Sequence, residues 1–522
     1  MAVFRRDQLS MKLSTTAEFL WGNRSRFRWL LFLTIILLFS FLGAKEIWTQ
    51  EHRWADIVAG MFYRNDFFHP YIGEIRYYDK PLLSYWLMAG FSWLAGSLNT
   101  WALRLPSALA GLLAIWSIYR IGCIQRGKSF GMLCGWMLVT TFYFVFWARV
   151  SSADMLNVGG ILFAIAWYLS CKNRAGLLHY SVFFVVLALT SLCKGLGGAI
   201  VPLIAVFADM CLHQSFKKHL RWSVVLALVP GLLVYLLPFW LSSHFGGEAY
   251  GENGLYLVYK ENILRYFQPF DHVGPIYTYF IYLPIYLMPW TLFFVPALLS
   301  LPQRFRTLDK DAQWNILSLL LVFLFFTMSG SRRSYYVLPI VPFAILITAD
   351  WIANCSVTAL RQRLAALCVM IAGLAIFVVM DALPAWYYAR CGAARFATSL
   401  QHEAMKQKPW QAWHVVMLDA ESKLSFYLQL PPNTKNYDTT GDRAMQTADT
   451  LKQHWPVLTD TPVDTIIISR QLFAPILDRV FLGYQKLTMP QGNCSSFVKV
   501  DEANNPIAYI PVSSANSSVV PR

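Results

Sequence analysis

Charge is what this sequence has least of. Charged residues make up 14% of its 522 residues, where soluble domains carry about a quarter. A chain of this length that is 56% hydrophobic could not cover a water-facing surface with polar groups, which excludes the soluble globular class. No nucleotide-binding glycine motif is present: "CKGLGG" (193–198) lacks the spacing of a phosphate-cradling loop and sits at the edge of an apolar run. No internal repeat is visible, which argues against the repeat-built transporters. The first apolar run, "FRWLLFLTIILLFSFLGA" (27–44), lacks a small-residue cleavage site and is followed by ten more, so it reads as a retained span. Cysteine is sparse, and seven of the nine lie in or beside apolar runs as small packing residues.

What is present is a membrane protein's charge pattern. The net charge of +15 collects in short gaps between apolar runs. The groups are Arg24, Arg26 and Arg28; Arg120, Arg126 and Lys128; Lys172 and Arg174; Lys217, Lys218 and Arg221; Arg304, Arg306 and Lys310; Arg361 and Arg363. Short cytoplasmic loops are enriched in Lys and Arg, so all six groups are placed inside, and the excess marks topology rather than a nucleic-acid partner. Threading the chain through them predicts spans near 28–44, 105–121, 130–147, 155–171, 177–193, 196–212, 223–243, 276–300, 313–330, 334–353 and 364–383. Residues 82–95 are too short to cross and read as an in-plane or re-entrant helix. The expected fold is therefore an α-helical polytopic membrane protein of about 11–13 transmembrane helices. Residues 1–27 lie inside. A membrane domain follows over 28–383, with an outer first loop at 45–104. Outside, over 384–522, "AWHVVMLDA", "LSFYLQL" and "DTIIISRQLF" read as short strands of a small α/β domain. Cys391 and Cys494 fall there and form a candidate disulfide if that compartment is oxidising.

Charges on the outer face are the informative exceptions. Lys194, Arg332 and Arg333 sit where spans meet at that surface, and the choice is between snorkelling to headgroups and holding an anion. Within "QEHRWADIVAGMFYR", helical spacing puts Glu51 on the stripe of Ala55, Val58 and Phe62. A carboxylate on that stripe needs a cation, a metal, a substrate or a proton. Asp79 and Lys80 precede the in-plane helix, where Asp79 either caps it or joins a site. Asp154 opens a span at capping-box spacing from Ser151, and Asp271 and His272 precede another. These residues come from five loops and share one side, which points to a concave outer site of carboxylates and cations.

In order along 45–350, "QEHRWADIVAGMF", "YYDKPLLSYW", "RLPSALAG", "ARVSSADML", "LCKGLGGAIVPL" and "SRRSYYVLPIVPF" resemble the membrane glycosyltransferases that use polyprenyl-phosphate sugars. Aminoarabinose lipid A transferases and protein O-mannosyltransferases belong to that family. The resemblance implies a type-C glycosyltransferase fold in the bacterial inner membrane, with site and C-terminus periplasmic. It implies transfer from a polyprenyl-phosphate sugar to an outer-leaflet lipid such as lipid A. A protein O-mannosyltransferase or a lipid-linked-sugar flippase is the alternative. Glu51 and Asp154 are then the catalytic candidates, and Lys80, Lys194, Arg332 and Arg333 the donor-phosphate candidates. Asp79 and His272 match positions where relatives hold a divalent metal, and no nucleotide cofactor is implied. The family's first loop opens with Asp-Glu, whereas this chain has Gln50 before Glu51, and an amide cannot act as a general base.

Overall fold

The computed structural model describes residues 14–173, 176–219, 221–245, 250–304, 307–354, 359–439, 443, 446–461, 464–488 and 502–512. Arg174, Arg306 and Cys494 lie outside the described residues. The chain forms two units, one of Met1–Leu42, Phe67–Pro70 and Tyr77–Ala382, the other of Gly43–Asp66, Tyr71–Arg76 and Leu383–Arg522.

The first unit is helical. Thr100–Arg126, Ala153–Cys171, Leu177–Lys194, Trp222–Phe245, Lys310–Met328, Ser334–Ala353 and a run opening at Leu360 are long and apolar enough to cross a membrane. Lys128–Val139 and Phe142–Ala148, bent by 71°, make an eighth if taken as one span. By length and composition, that is seven or eight of the eleven expected crossings among the described residues, and the others are shorter or broken for local reasons. Phe27–Phe39 has 13 residues and Gly197–His213 has 17, rising only about 20 Å and 26 Å against a core of about 30 Å. The expected span at 276–300 is two helices, Thr278–Tyr286 and Thr291–Leu299, in a stretch holding Pro284, Pro289 and Pro296. Proline removes a helical N–H donor and crowds the preceding turn. The expected in-plane run is the 12-residue helix Leu83–Leu94, also too short to cross.

Without a hydrophobic drive between helices in lipid, close packing has to hold them together. Gly159 packs against the Thr100–Arg126 helix so closely that a Cβ there would lie 2.6 Å from the Ala110 carbonyl oxygen. One charge pair is buried deep in the unit. Arg149 donates to the Leu37 and Ser40 carbonyls at 2.9 and 2.8 Å and pairs at 2.7 Å with Asp381, which is fully buried. It fastens the end of the Phe27–Phe39 helix, the bent pair and the run after Leu360 to one another.

The second unit holds a short hairpin, β1 (Tyr71–Ile72) and β2 (Ile75–Arg76). It also holds a five-stranded sheet of β3 (His414–Leu418), β4 (Asn436–Tyr437), β5 (Thr465–Arg470), β6 (Tyr484–Thr488) and β7 (Pro506–Pro511), in the order β4-β3-β5-β7-β6. β3 runs parallel to β4 and β5, while β7 is antiparallel to β5 and β6. Both faces are covered, as the period of two requires. Ile466 and Ile468 pack with Phe396 and Leu400 of the Ala393–Met405 helix, and Ile467 packs with Leu451, Trp455 and Leu477 on the other face. "AWHVVMLDA" and "DTIIISRQLF" contain strands, as expected. "LSFYLQL" does not: it is the helix Lys423–Tyr427, with Leu424 and Leu428 four apart and both fully buried.

The division also differs from expectation at the first loop. Its helix, Thr49–Arg64, clusters with the C-terminal segment. Glu46, 7% exposed, bonds Lys423 at 2.8 Å and accepts from the Ala394 amide at 3.3 Å, and the Ile47 amide donates to the Tyr427 hydroxyl at 2.9 Å. Cys391 is disulfide-bonded.

Candidate active site

A cleft of about 170 Å³ opens in the membrane unit between the Asp79–Pro81 segment, the turn at Lys194–Gly197, the helix leading to Tyr266, and Tyr336. Three of these four walls each bring a cation to it: Lys80, Lys194 and Arg265.

Lys194 ends its helix, and the Gly195 amide closes the last turn on the Ser191 carbonyl at 2.8 Å. Gly195 has φ +138°, a conformation that disfavours a side chain, and a Cβ there would also lie 2.5 Å from Asn262 Oδ1. Asn262 Oδ1 accepts from the Leu196 amide at 2.8 Å, and its Nδ2 donates to the Val258 carbonyl at 2.8 Å. The next helix starts at Gly197, so the lysine is held at a tight corner between two helices. Its ammonium is ion-paired with Asp154 and lies 4.8 Å and 5.4 Å from the ring centroids of Tyr336 and Tyr335.

Lys80 donates to the Asp79 carboxylate at 3.2 Å and to its carbonyl at 3.1 Å, and Tyr77 donates to the same carboxylate at 2.7 Å. Arg265 is the most elaborately held of the three. It bonds Glu261 at 2.5 Å, Asp271 at 2.6 Å and Ser331 Oγ at 3.3 Å, and it is 9% exposed. Glu261 and Asn262 lie in a π-helical turn, Tyr259–Leu264, a local geometry frequent at functional sites.

The expected site residues divide between the units. Asp79, Lys80 and Lys194 line the cleft, and Asp154 stands behind Lys194. Asp154 does not complete a box with Ser151; Ser152 caps the helix by accepting from the Asp154 amide at 3.3 Å. Arg332 differs from the expected phosphate ligand. Its Nε and Nη2 bond the Thr327 carbonyl at 3.2 and 2.9 Å and its Nη1 bonds the Gly274 carbonyl at 2.5 Å, so it clamps two loops. Arg333 lies with Nη2 2.6–2.8 Å from the His272 ring nitrogens and does not line the cleft. Burial, together with the Arg333 charge, holds His272 below the usual histidine range, with Asp271 opposing.

A divalent ion at Asp79 and His272 does not fit these partners. The carboxylate is engaged by Lys80 and Tyr77 and the imidazole by a guanidinium that repels a cation. Among the described residues no group of three or more His, Cys, Asp or Glu is placed to hold a metal ion. Glu51 belongs to the second unit. It is 2% exposed on the stripe of Ala55 and Val58, as periodicity predicts, and its Oε2 accepts from the Trp48 amide at 3.0 Å across the first turn of its own helix.

A family model described as dolichyl-phosphate-mannose-protein mannosyltransferase matches residues 79–240. An undecaprenyl phosphate-alpha-4-amino-4-deoxy-L-arabinose arabinosyl transferase of Proteus mirabilis is 28% identical over 62% of this chain and 59% of its own length. A protein of that name from Pectobacterium atrosepticum is 27% identical over 63% and 60%. The crystal structure of ArnT from Cupriavidus metallidurans bound to undecaprenyl phosphate superposes with a TM-score of 0.69 at 14% identity, covering 95% of this chain and 100% of that one. Its apo form gives 0.63 at 15%. The chain is similar to polyprenyl-phosphate-sugar-dependent membrane glycosyltransferases, over residues 79–240 by the family model and over most of its length in fold. The sequence matches span about three fifths of the curated relatives' length, and the structural likeness is one of fold.

Arg265 and Glu261 are the residues that sequence reading missed. The signal was available: Glu261 and Arg265 stand four apart in "YKENILRYF", next to the outer loop of Asp271 and His272. Asn262 and Tyr336 carried no comparable signal, because each acts through a partner distant in sequence.

Proposed function

We propose that the protein transfers a sugar from a polyprenyl-phosphate donor to an outer-leaflet lipid acceptor, with lipid A as the favoured acceptor. The observation that carries the proposal is the convergence of Lys80, Lys194 and Arg265 from three separate segments on one cleft. The names of the curated relatives and the undecaprenyl phosphate bound to the fold neighbour support it. In this reading the membrane is the bacterial inner membrane, and the cleft and C-terminal unit are periplasmic, opposite the basic loops.

The chemistry follows from the residues. An acceptor oxygen attacks the anomeric carbon, the bond from that carbon to the donor phosphate oxygen breaks, and polyprenyl phosphate leaves with the electron pair. Negative charge grows on the phosphate as it departs, and three preplaced cations stabilise it. The acceptor proton passes to a carboxylate. Asp154 is proposed for that step because it also sets the position of Lys194; Glu51, the other carboxylate candidate, belongs to the second unit. No step is routed through a metal or a nucleotide.

The test is reconstitution in lipid with a panel of polyprenyl-phosphate sugars and lipid A, reading acceptor mass. The expected result is a sugar-sized gain that is lost in Arg265→Ala and in Lys194→Ala. A gain that survives both substitutions overturns the assignment of the cleft. The match of residues 79–240 to a protein mannosyltransferase family favours one second reading, in which the gain appears on an acceptor peptide and not on lipid A. Movement of the donor across vesicles with no transfer would identify a flippase instead.

A further inference from the structure

A second concave surface lies in the membrane unit at the end that carries the basic loops. It is a groove of about 470 Å³ formed by the Phe27–Phe39, Thr100–Arg126 and Ala153–Cys171 helices. That volume falls in the range of about 300–1,000 Å³ typical of small-molecule sites. One wall is Phe27 against Tyr119, ring centroids 4.5 Å apart. The other is a row of Trp116, Phe163 and Trp167, with successive centroids 6.0 and 6.4 Å apart. Ala166 lies between the walls, and Ser170 is exposed beside it. Trp116 is 39% exposed, so the groove opens on the outside of the helical bundle.

Arg120 lines the same groove. Three other cations near the basic loops of this unit have acidic partners. Arg126 pairs with Asp309 and Asp350, Lys172 with Asp209, and Arg304 with Asp350. Arg120 is half-buried and has no carboxylate or hydrogen-bond partner among the described residues. A guanidinium left without an anion at the mouth of an aromatic slot, on a helix that crosses the bilayer, calls for an anionic group with an apolar tail. Basic pockets between transmembrane helices on the cytoplasmic side are a known way to hold acidic lipid headgroups, and aromatic rings favour that interface.

We infer that this groove is a binding site for an anionic glycerophospholipid of the surrounding leaflet, its acyl chain between the two aromatic walls and its phosphate on Arg120. The inference is independent of the transfer reaction proposed for the cleft.

The experiment is native mass spectrometry of the full-length protein in detergent, titrated with phosphatidylglycerol or with phosphatidylcholine of matched chains. The expected result is retention of phosphatidylglycerol over phosphatidylcholine, with Arg120→Gln weakening phosphatidylglycerol alone about tenfold, the worth of one charged hydrogen bond. Ser170→Trp, which fills the slot and leaves the arginine in place, should weaken both lipids. Equal retention of the two lipids by the wild type, or unchanged phosphatidylglycerol in a folded Arg120→Gln variant, overturns the assignment. So does displacement of phosphatidylglycerol by an equimolar polyprenyl phosphate, which would name a different occupant. If Arg120→Gln fails to fold, Ser170→Trp decides: unchanged phosphatidylglycerol binding there also overturns it.

Discussion

Lys194 and Asp154 form an ion pair at the cleft wall, and the same ammonium faces the rings of Tyr335 and Tyr336. A lysine held from two sides has a defined position, which is what a charge-stabilising group requires. Removing the lysine strands a buried carboxylate, a loss on the order of 3 kcal/mol. Lys194→Met is therefore expected to lower thermal stability in detergent, and Lys194→Met combined with Asp154→Leu to recover most of it. Transfer activity should stay absent in both. A double variant as unstable as the single one would show that the pair is not what holds this corner.

Arg265 and Arg332 should separate cleanly. Arg265 lines the cleft and Arg332 grips main-chain carbonyls. Arg265→Lys keeps the charge and loses the fork that meets Glu261 and Asp271, so kcat/KM is expected to fall by about 100-fold with little change in melting temperature. Arg332→Lys should do the reverse, costing about 2 kcal/mol of stability through its carbonyl bonds while the donor KM stays near wild type. Steady-state kinetics and thermal unfolding of the two variants decide it.

His272 makes a pH prediction. Its folded-state pKa lies below the unfolded value of about 6.5. Between those values the unfolded chain binds the proton and the folded chain does not. Stability is then full above the unfolded pKa and is lost as pH falls through the window toward the folded pKa. His272→Gln should flatten that dependence. Melting temperatures of both proteins between neutral and mildly acidic pH are the check, and parallel curves would exclude His272 as the source.

The second unit depends on the first-loop segment. A fragment beginning at Leu383 would leave Lys423 without Glu46 and the Tyr427 hydroxyl without the Ile47 amide. Such a fragment should unfold at lower denaturant than the same unit within the full chain, as limited proteolysis across a urea series would show. Equal resistance would mean that the loop segment adds nothing to this unit.

Metal dependence can be tested directly. With Asp79 held by Tyr77 and Lys80 and His272 by Arg333, chelator treatment is expected to leave transfer rates within about twofold, a change smaller than loss of one hydrogen bond. Activity lost to chelator and restored by a divalent ion would reverse that reading.

The membrane unit was legible because hydropathy and loop charge are long-range averages that single residues cannot blur. The burial of Glu51 was legible from helical period alone. Its bond to the Trp48 amide was not, since a carboxylate at the third helical position serves equally as a cap or as a site residue. The hold of Arg332 on main-chain oxygens of Thr327 and Gly274 was not legible, since no side-chain pattern announces it. Span continuity failed where local chemistry broke it, at the prolines of 278–299. "LSFYLQL" alternates well enough for a strand, and tertiary burial of Leu424 and Leu428 decided for a helix.

Each cleft cation already has an acidic companion: Lys80 has Asp79, Lys194 has Asp154, and Arg265 has Glu261 and Asp271. An arriving phosphate therefore enters no vacant positive hole; it competes with tethered rivals that cannot diffuse away. The same rivals are on hand when the spent lipid phosphate departs and can retake each cation as it is released. A site wired in this way trades grip for turnover, which would suit the proposed transfer, in which the leaving phosphate carries the same anchor as the donor.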